Sequence, residues 1–319
     1  MKRFSPFATL IGLILFAVIL SRVDLRASLD LLGKTSPLWI GAAFLLLSPE
    51  ILLKSLRIRR LAAEAGHLIG VKDAVHVYLS GQPLASVTPA KLGDVARVLL
   101  LSQKSGMGTP QALAVHVADK VLDLAALALL ASIGLITLIA DAQQTHAAWS
   151  ALAGIGVGVA LMTAFLNRGW VRRFVKPVVL ALAPEKVARS LHSHGREFYR
   201  HFETFFLPLR RLAGPLALSL LAWETAIARA WICSTALGLP LTFWNLQWLL
   251  PVVIMVEFLP ISIMGFGTRE ASLFVFFAGI SRESLVSFSL LTVVVGPLAS
   301  ALLGIPAAAS LKMPEGRRP

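Results

Sequence analysis

Long apolar segments constrain this chain more than any other feature of its sequence. A helix needs about 20 residues to cross the hydrocarbon core of a bilayer, and five segments come close to or exceed that length: residues 38–55, 110–140, 147–166, 212–237 and 284–311. A further apolar run, residues 4–20, follows two basic residues and lacks a signal-peptidase site, so we interpret it as an uncleaved first helix. The chain is therefore predicted to be a polytopic membrane protein. Hydrophobic residues make up 56% of it and charged residues only 15%, which excludes a soluble enzyme and a disordered chain.

Two other apolar segments, residues 72–103 and 246–279, are each interrupted near the middle by Pro and Gly. The interruptions lie at 88–93 and 260–267, and the pieces on either side are mostly shorter than a membrane span. Non-helical backbone at membrane depth is tolerated only where protein buries it or where it lines a wet cavity. We therefore predict an all-α polytopic membrane protein with about six full transmembrane helices plus two re-entrant helical hairpins.

The basic residues predict the orientation of these segments. The chain has 30 Lys and Arg against 17 Asp and Glu. With a cytoplasmic N-terminus, 21 of the 30, including Lys54 and Arg57, are assigned to inner loops, 4 to outer loops and 5 to membrane segments. This bias follows the positive-inside rule, so both termini are expected in the cytoplasm and the basic excess needs no nucleic-acid partner. The single cysteine, Cys233, excludes an intrachain disulfide and a cysteine-based metal centre.

Landmarks of the first half recur in the second half at an offset of 171 to 173 residues: Gly66 and Gly238, Pro89 and Pro260, Arg97 and Arg269, Gly106 and Gly279, Leu113 and Leu285. The first hairpin would open toward the cytoplasm and the second toward the outside. That is an inverted repeat, an arrangement that places the substrate site of many secondary transporters near the bilayer midplane.

This pattern predicts a single transmembrane domain with five consecutive parts. They are a first helix and loop (1–37), the first repeat (38–140), a connecting span with a basic amphipathic cytoplasmic segment (141–211), the second, inverted repeat (212–311) and a cytoplasmic tail (312–319).

Charged residues inside the predicted membrane segments are the candidate site residues, because each costs about 2.5 kcal/mol or more to insert and so faces a cavity or an opposite charge. They are Lys91, Asp94, Arg97, Asp119, Lys120, Asp123, Glu257, Arg269 and Glu270. In a functional interpretation, the cations among them, above all the two arginines at the breaks, bind the phosphate of a lipid headgroup. In a structural interpretation they form neutral pairs: Asp94 with Arg97, Asp123 with Lys120, and Glu270 with a cation of the other half.

Other polar residues are given structural roles. Glu50 can reach Lys54 one helical turn away, Glu224 and Arg229 are expected in structural pairs, and Trp223 is expected to anchor a span end at the membrane surface. The histidines near residue 194 lack the further ligands of a metal site, so no metal and no cofactor is predicted.

Two motifs carry a resemblance to a known family. Residues 88–100, TPAKLGDVARVLL, and residues 259–271, LPISIMGFGTREA, the latter followed by Gly279 and Ile280, resemble signatures of the bacterial lysylphosphatidylglycerol synthase transmembrane, or flippase-like, family. The resemblance implies a multi-pass protein of the bacterial inner membrane that moves a polar-headed lipid between leaflets. The lipid classes it suggests are phospholipids, aminoacyl-phosphatidylglycerol, hopanoids and polyprenyl lipids.

This chain departs from the family pattern in two ways. It ends at Pro319, directly after the last predicted span, so we expect no synthase domain and no aminoacylation of lipid. Where many members carry Glu-Arg after the first hairpin, it has Asp119-Lys120, which keeps the charges but gives up the two-pronged guanidinium.

The function expected from the sequence is thus a lipid flippase or scramblase, not an enzyme, with a membrane lipid as substrate. Two alternatives stay open: a membrane enzyme of lipid or glycan transfer that uses the intramembrane carboxylates, and a non-catalytic partner of a lipid-modifying complex. The protein partners left open are a second copy of the chain and a separate lipid-modifying enzyme.

Overall fold

The structure is a computed structural model, and it describes residues 21, 23–87, 94–140, 201–202, 209–257 and 265–311. Within these ranges all regular structure is helical. The helices are α1 (Leu25–Gly33), α2 (Pro37–Glu64), α3 (Val71–Ser80), α4 (Gln82–Val87), α5 (Asp94–Ser105), α6 (Thr109–Ala140), α7 (Leu209–Ala236), α8 (Phe243–Glu257), α9 (Thr268–Phe276), α10 (Arg282–Val293), a π-helical turn (Val294–Leu298) and α11 (Ala299–Ala309).

Three helical segments of the described part are long and apolar enough to cross a membrane: Pro37–Glu64, Arg210–Ala236 and Arg282–Ala309. They coincide with three of the predicted spans, and the prediction of a helical, multi-pass membrane protein is confirmed in this part of the chain. The predicted spans 4–20 and 147–166 lie outside the described residues, as do the break at 88–93 and residues 260–264 of the break at 260–267. The full count of six spans and two re-entrant hairpins therefore stays a prediction.

The two longest core helices, α2 and α7, match each other closely. Each has 28 residues, and their first residues are 172 positions apart. Each is followed by a glycine with positive φ, Gly66 at 86° and Gly238 at 66°, a conformation that ends helices because a Cβ would be strained there. The two helices run antiparallel, since Glu64 at the end of α2 lies 3.7 Å from Arg211 at the start of α7.

Each half of the described chain has its own apolar core. One cluster of buried side chains is built mainly by α7 to α10, and the other mainly by α2, α3, α5 and the start of α6. Helix α6 contributes to both clusters, with Ala112 to Leu122 in one and Leu127 to Ala131 in the other. The long α6 thus joins the two halves, and the shorter helices beside the sequence breaks pack in pairs, α3 against α5 and α8 against α9.

The last predicted span contains an irregularity. Its helix changes from α to π geometry at Val294–Leu298 and returns to α geometry at Ala299. Pro297 lies within this turn and has no N–H to donate, which interrupts the regular hydrogen-bond pattern.

Two sequence-based assignments are wrong. Lys54 and Arg57 were placed in an inner loop, but both lie within α2 and are 9% and 1% exposed. Their positive charges resemble those of a loop, but Glu50 compensates Lys54 within α2, and Asp119 and Asp123 of α6 compensate Arg57. The loop after the first predicted helix also contains α1, which begins where the Asp24 side chain accepts hydrogen bonds from the N–H groups of Arg26 and Ala27.

Candidate functional site

A polar cavity of about 220 Å³ lies inside the helix bundle. Helices of both halves line it, from α2 through α11. Ten ionisable side chains face it within the described residues: the cations Lys54, Arg57, Arg97, Lys120, Arg229 and Arg269, and the carboxylates Glu50, Asp94, Asp123 and Glu257. Asp119, which pairs with Arg57 from behind the lining, is a fifth carboxylate, so the cluster carries an excess of one positive charge. Uncompensated charge is costly inside a membrane protein.

The most buried cation of the cavity is Arg57 of α2. Its Nε donates to Asp119 over 2.6 Å, and two further guanidinium nitrogens donate to the carboxylate of Asp123 over 2.5 and 3.0 Å. Ser219 of α7 accepts another bond over 2.8 Å, and Trp223 donates its indole N–H to Asp123 over 3.0 Å. This cluster joins α2, α6 and α7, and Arg57 compensates both carboxylates at once.

Glu50 holds two cations from different helices. Lys54, one turn further along α2, lies 2.7 Å away, and Arg229 of α7 donates over 2.8 Å. The Lys54 ammonium also lies 4.6 Å from the centre of the Trp223 ring, a cation–π distance. The Arg229 guanidinium packs so closely against Gly296 in the π-helical turn that a Cβ on Gly296 would displace it.

Asp94, the first residue of α5, also serves two cations. Its carboxylate lies 3.3 Å from Arg97 and 3.0 Å from Lys120, and His116 is 3.6 Å away. The Arg97 Nε donates to the Tyr78 carbonyl over 3.0 Å, and the guanidinium lies over the Tyr78 ring at 4.6 Å. Arg97 is thus held by one carboxylate, one carbonyl and one aromatic face.

Arg269 of α9 forms a two-pronged pair with Glu257 at the end of α8, with bonds of 2.6 and 2.7 Å. Gly265, between them in sequence, has φ of 81°, and a Cβ there would lie 3.0 Å from the Glu257 side chain. The pair therefore joins the two ends of the second break, and Gly265 leaves room for it.

Each lysine of the cavity shares its carboxylate with an arginine. Lys54 shares Glu50 with Arg229, and Lys120 shares Asp94 with Arg97. The Lys120 side chain is 28% exposed, whereas the side chains of the other five cations are 11% exposed or less. Lys120 is consequently the cation most open to an incoming anion.

The structure brings most of the predicted site residues together. Six of the nine line the one cavity: Asp94, Arg97, Lys120, Asp123, Glu257 and Arg269. Asp119 lies behind them, paired with Arg57. Lys91 lies outside the described residues.

Glu270 has a local role in place of the predicted ion pair with the other half. Its carboxylate accepts from the Gly267 N–H over 2.6 Å and from the Ser289 hydroxyl. It therefore caps the first turn of α9, where a negative charge is favourable.

The predicted structural pairs are partly confirmed. The Glu50–Lys54 and Asp94–Arg97 pairs are present. The predicted Asp123–Lys120 pair is wrong, because Asp123 binds Arg57 and Lys120 binds Asp94. The expectation that Trp223 anchors a span end is also wrong, since its indole donates to Asp123 beside the cavity.

Sequence reasoning missed Arg57 as a cavity residue and gave Arg229 only a structural role. A signal was available, because these arginines are 172 positions apart, the same separation as Arg97 and Arg269. All four arginines line the cavity. Each half of the chain thus supplies one arginine from its long helix and one from the helix after its predicted break.

Gly81, between α3 and α4, positions Arg97. A Cβ on Gly81 would lie 2.6 Å from the Arg97 Cγ, although its φ of −83° suits any residue. We therefore expect Gly81→Ala to displace the Arg97 stem and lower the free energy of unfolding by about 1–3 kcal/mol. Thermal unfolding in detergent would measure this.

Gly41→Ala is the matched control, because Gly41 lies within α2 with no atom within 4 Å of its added Cβ. It should be neutral or stabilise the protein by up to about 1 kcal/mol. Equal effects of the two substitutions would contradict the positioning role of Gly81.

Comparison with known proteins agrees with the two sequence motifs. A family model described as the lysylphosphatidylglycerol synthase TM region matches residues 7–304, which is nearly the whole chain. No curated protein and no solved structure gives a significant match.

Proposed function

Because the chain belongs to the lysylphosphatidylglycerol synthase transmembrane family, we propose that it is a lipid flippase or scramblase, which moves a polar-headed lipid between the two leaflets of a bilayer. The observation that carries the proposal is the cavity inside the bundle, whose described lining has six cations and four carboxylates. A headgroup phosphate would compensate the excess positive charge there, while the acyl chains stay in the bilayer. The candidate lipids are those with a phosphate or a similarly polar headgroup.

The arrangement of the long helices supports this proposal. In an inverted repeat, equivalent helices run in opposite directions, and α2 and α7 have equal lengths, a separation of 172 residues and antiparallel directions. In the proposed architecture, six spans and two re-entrant hairpins form two inverted halves around the cavity. The protein resides in the bacterial inner membrane with both termini in the cytoplasm.

The shared carboxylates suggest how a headgroup enters the site. Asp94 contacts both Arg97 and Lys120, so Lys120 can turn toward a phosphate while Arg97 keeps the carboxylate compensated. Lys54 can do the same beside Glu50, because Arg229 remains there. Binding then exchanges one ion pair for another and leaves no carboxylate without a cation.

Leaflet exchange tests the proposal directly. The purified protein is reconstituted into liposomes with a panel of fluorescent lipids, anionic, zwitterionic and neutral, and exchange is followed by chemical quenching of the outer leaflet. We expect exchange of at least one phosphate-bearing lipid well above that of protein-free liposomes, and slower exchange with Lys120→Met than with Lys72→Met, a change at the exposed start of α3. Exchange no faster than in protein-free liposomes for every lipid would refute the proposal.

The alternative of a lipid- or glycan-transferring enzyme makes a different prediction. Its acid–base groups would be Asp94, Asp119, Asp123 and Glu257, and each of these is engaged by Arg or Lys. An engaged carboxylate is poorly placed to take up and release a substrate proton. Mass spectrometry of lipids incubated with the protein should therefore find no new covalent product.

The proposed topology can be tested by labelling single cysteines on a Cys233→Ser background. We expect positions within 141–146 and 238–245 to react from the outside and positions within 168–211 only after the membrane is permeabilised. Labelling of 168–211 from the outside would contradict the inverted arrangement, because the two hairpins would no longer open to opposite sides.

A further inference from the structure

One carboxylate in the membrane lies away from the cavity and has an amide, not a cation, as its partner. Glu224 is near the middle of α7, a candidate membrane span. Its Oε1 accepts a 2.6 Å hydrogen bond from the Gln247 side chain of α8. Among the described residues, no Lys, Arg or His lies within ion-pair distance of it.

Gln247 adds a second, independent observation. Its side chain is 4% exposed, and its Oε1 is a buried acceptor without a hydrogen-bond partner. Buried polar atoms are almost always paired, because an unpaired one costs about 1–3 kcal/mol. The Gln247 Oε1 therefore has no donor among the described residues.

The O–H of a Glu224 carboxylic acid would be such a donor. A carboxylic acid and a primary amide form two reciprocal hydrogen bonds, amide N–H to acid carbonyl and acid O–H to amide oxygen. The first of these bonds is present. The other orientation of the Gln247 amide also requires a proton. If the amide is turned over, its oxygen faces the Glu224 Oε1 at 2.6 Å, and two oxygens at this distance need a proton between them.

The other charged groups near α7 do not replace this proton. The helices packed against α7 in the described part of the chain are α2, α6, α8 and α10. Their ionisable side chains, together with those of α7 itself, form no ion pair with Glu224: Glu50, Lys54, Arg57, Arg59, Arg60, Glu64, His116, Asp119, Lys120, Asp123, Arg210, Arg211, Arg229, Glu257, Arg282 and Glu283.

We propose that Glu224 and Gln247 form a proton-binding site within the membrane. The pair joins α7 to α8, and α8 ends ten residues later at Glu257, about 15 Å along the helix, where Arg269 is held. Loss of the proton places an uncompensated charge between α7 and α8, which weakens the contact between the two helices. Resting on the proposed function, this site would couple lipid movement to proton uptake and release.

Infrared difference spectroscopy of the reconstituted full-length protein tests proton binding without requiring transport. We expect the carbonyl stretch of a protonated carboxylic acid in the wild type, its loss in Glu224→Gln, and its retention in Glu283→Gln, a matched change in the first turn of α10. Glu224→Gln preserves both reciprocal bonds as an amide pair, so it should fold. Gln247→Met should shift the frequency of the acid band, because it removes the hydrogen-bond partner.

Leaflet exchange measured across pH tests the coupling. We expect the wild-type rate to change about fivefold or more with pH, and the Glu224→Gln rate to be independent of pH. If the wild type exchanges no lipid, the proposed function fails while the infrared result still decides the proton site. Absence of a Glu224-dependent acid band, or an acid band that Gln247→Met leaves unmoved, overturns the site. A pH dependence unchanged in Glu224→Gln overturns the coupling.

Discussion

Replacing Arg57 with methionine should lower the free energy of unfolding by about 3–5 kcal/mol, the largest stability effect we expect at the cavity. Arg57 is 1% exposed and is the cation that contacts both Asp119 and Asp123. Without it, Asp119 loses its ion pair, and Asp123 keeps only the Trp223 indole as a close donor. Thermal unfolding in detergent, followed by tryptophan fluorescence, would measure the loss.

Arg60→Met is the matched control, because Arg60 lies one turn away on α2 with a side chain that is 61% exposed. Its pair with Glu64 is a surface ion pair, so the change should stay within about 1 kcal/mol. Adding Asp123→Asn to Arg57→Met should recover part of the stability, since it removes one stranded charge. Equal losses for Arg57→Met and Arg60→Met would show that the buried cluster contributes no special stability.

Replacing either break arginine with lysine, Arg97→Lys or Arg269→Lys, should slow lipid exchange by about tenfold to a hundredfold while leaving the protein folded. Lysine keeps the charge that the Asp94 or Glu257 carboxylate needs but loses the planar fork that fits phosphate oxygens. A charged hydrogen bond contributes about 1.5–3 kcal/mol, and each 1.4 kcal/mol corresponds to a factor of ten. Exchange and thermal stability should be measured on the same preparations.

Arg59→Lys is the control for these variants, because the Arg59 Nε donates to the Ile69 carbonyl and Arg59 does not line the cavity. Its exchange rate should equal that of the wild type. Arg97→Ala and Arg269→Ala should in addition destabilise the protein by a few kcal/mol, since each strands a carboxylate. Normal exchange by both lysine variants together with unfolding of both alanine variants would reject phosphate binding and leave these arginines as structural counter-ions.

The candidate site could be predicted in part from the sequence. Arg97 and Arg269 stand out because they follow equivalent breaks, and both line the cavity. Arg57 and Lys54 do not stand out, because a window of the sequence around them resembles a charged loop at a span end. The carboxylate partners of Arg57 are Asp119 and Asp123, more than 60 positions away. Hydropathy is a local property, whereas compensation of these charges depends on residues from other helices.

The same limit explains the wrong pairing of Lys120. Spacing along one helix places Lys120 and Asp123 close enough to interact, but spacing does not say which partner offers more hydrogen bonds. Arg57 reaches Asp123 with two guanidinium nitrogens, and Asp94 begins α5 beside Lys120. The helix-to-helix contacts select these pairs.

The sequence by itself determined that the chain is helical and membrane-spanning, that it belongs to its family, and that landmark residues of its two halves lie about 172 positions apart. The length of the apolar segments and the order of the motifs suffice for these conclusions, because both are properties of consecutive residues. The tertiary structure alone decided that four arginines line one cavity and which carboxylate holds each of them. It also decided that the partner of Glu224 within the described part of the chain is an amide. These features depend on how α2, α6, α7 and α8 pack, and electrostatic compensation acts over a few ångströms of space, irrespective of separation along the chain.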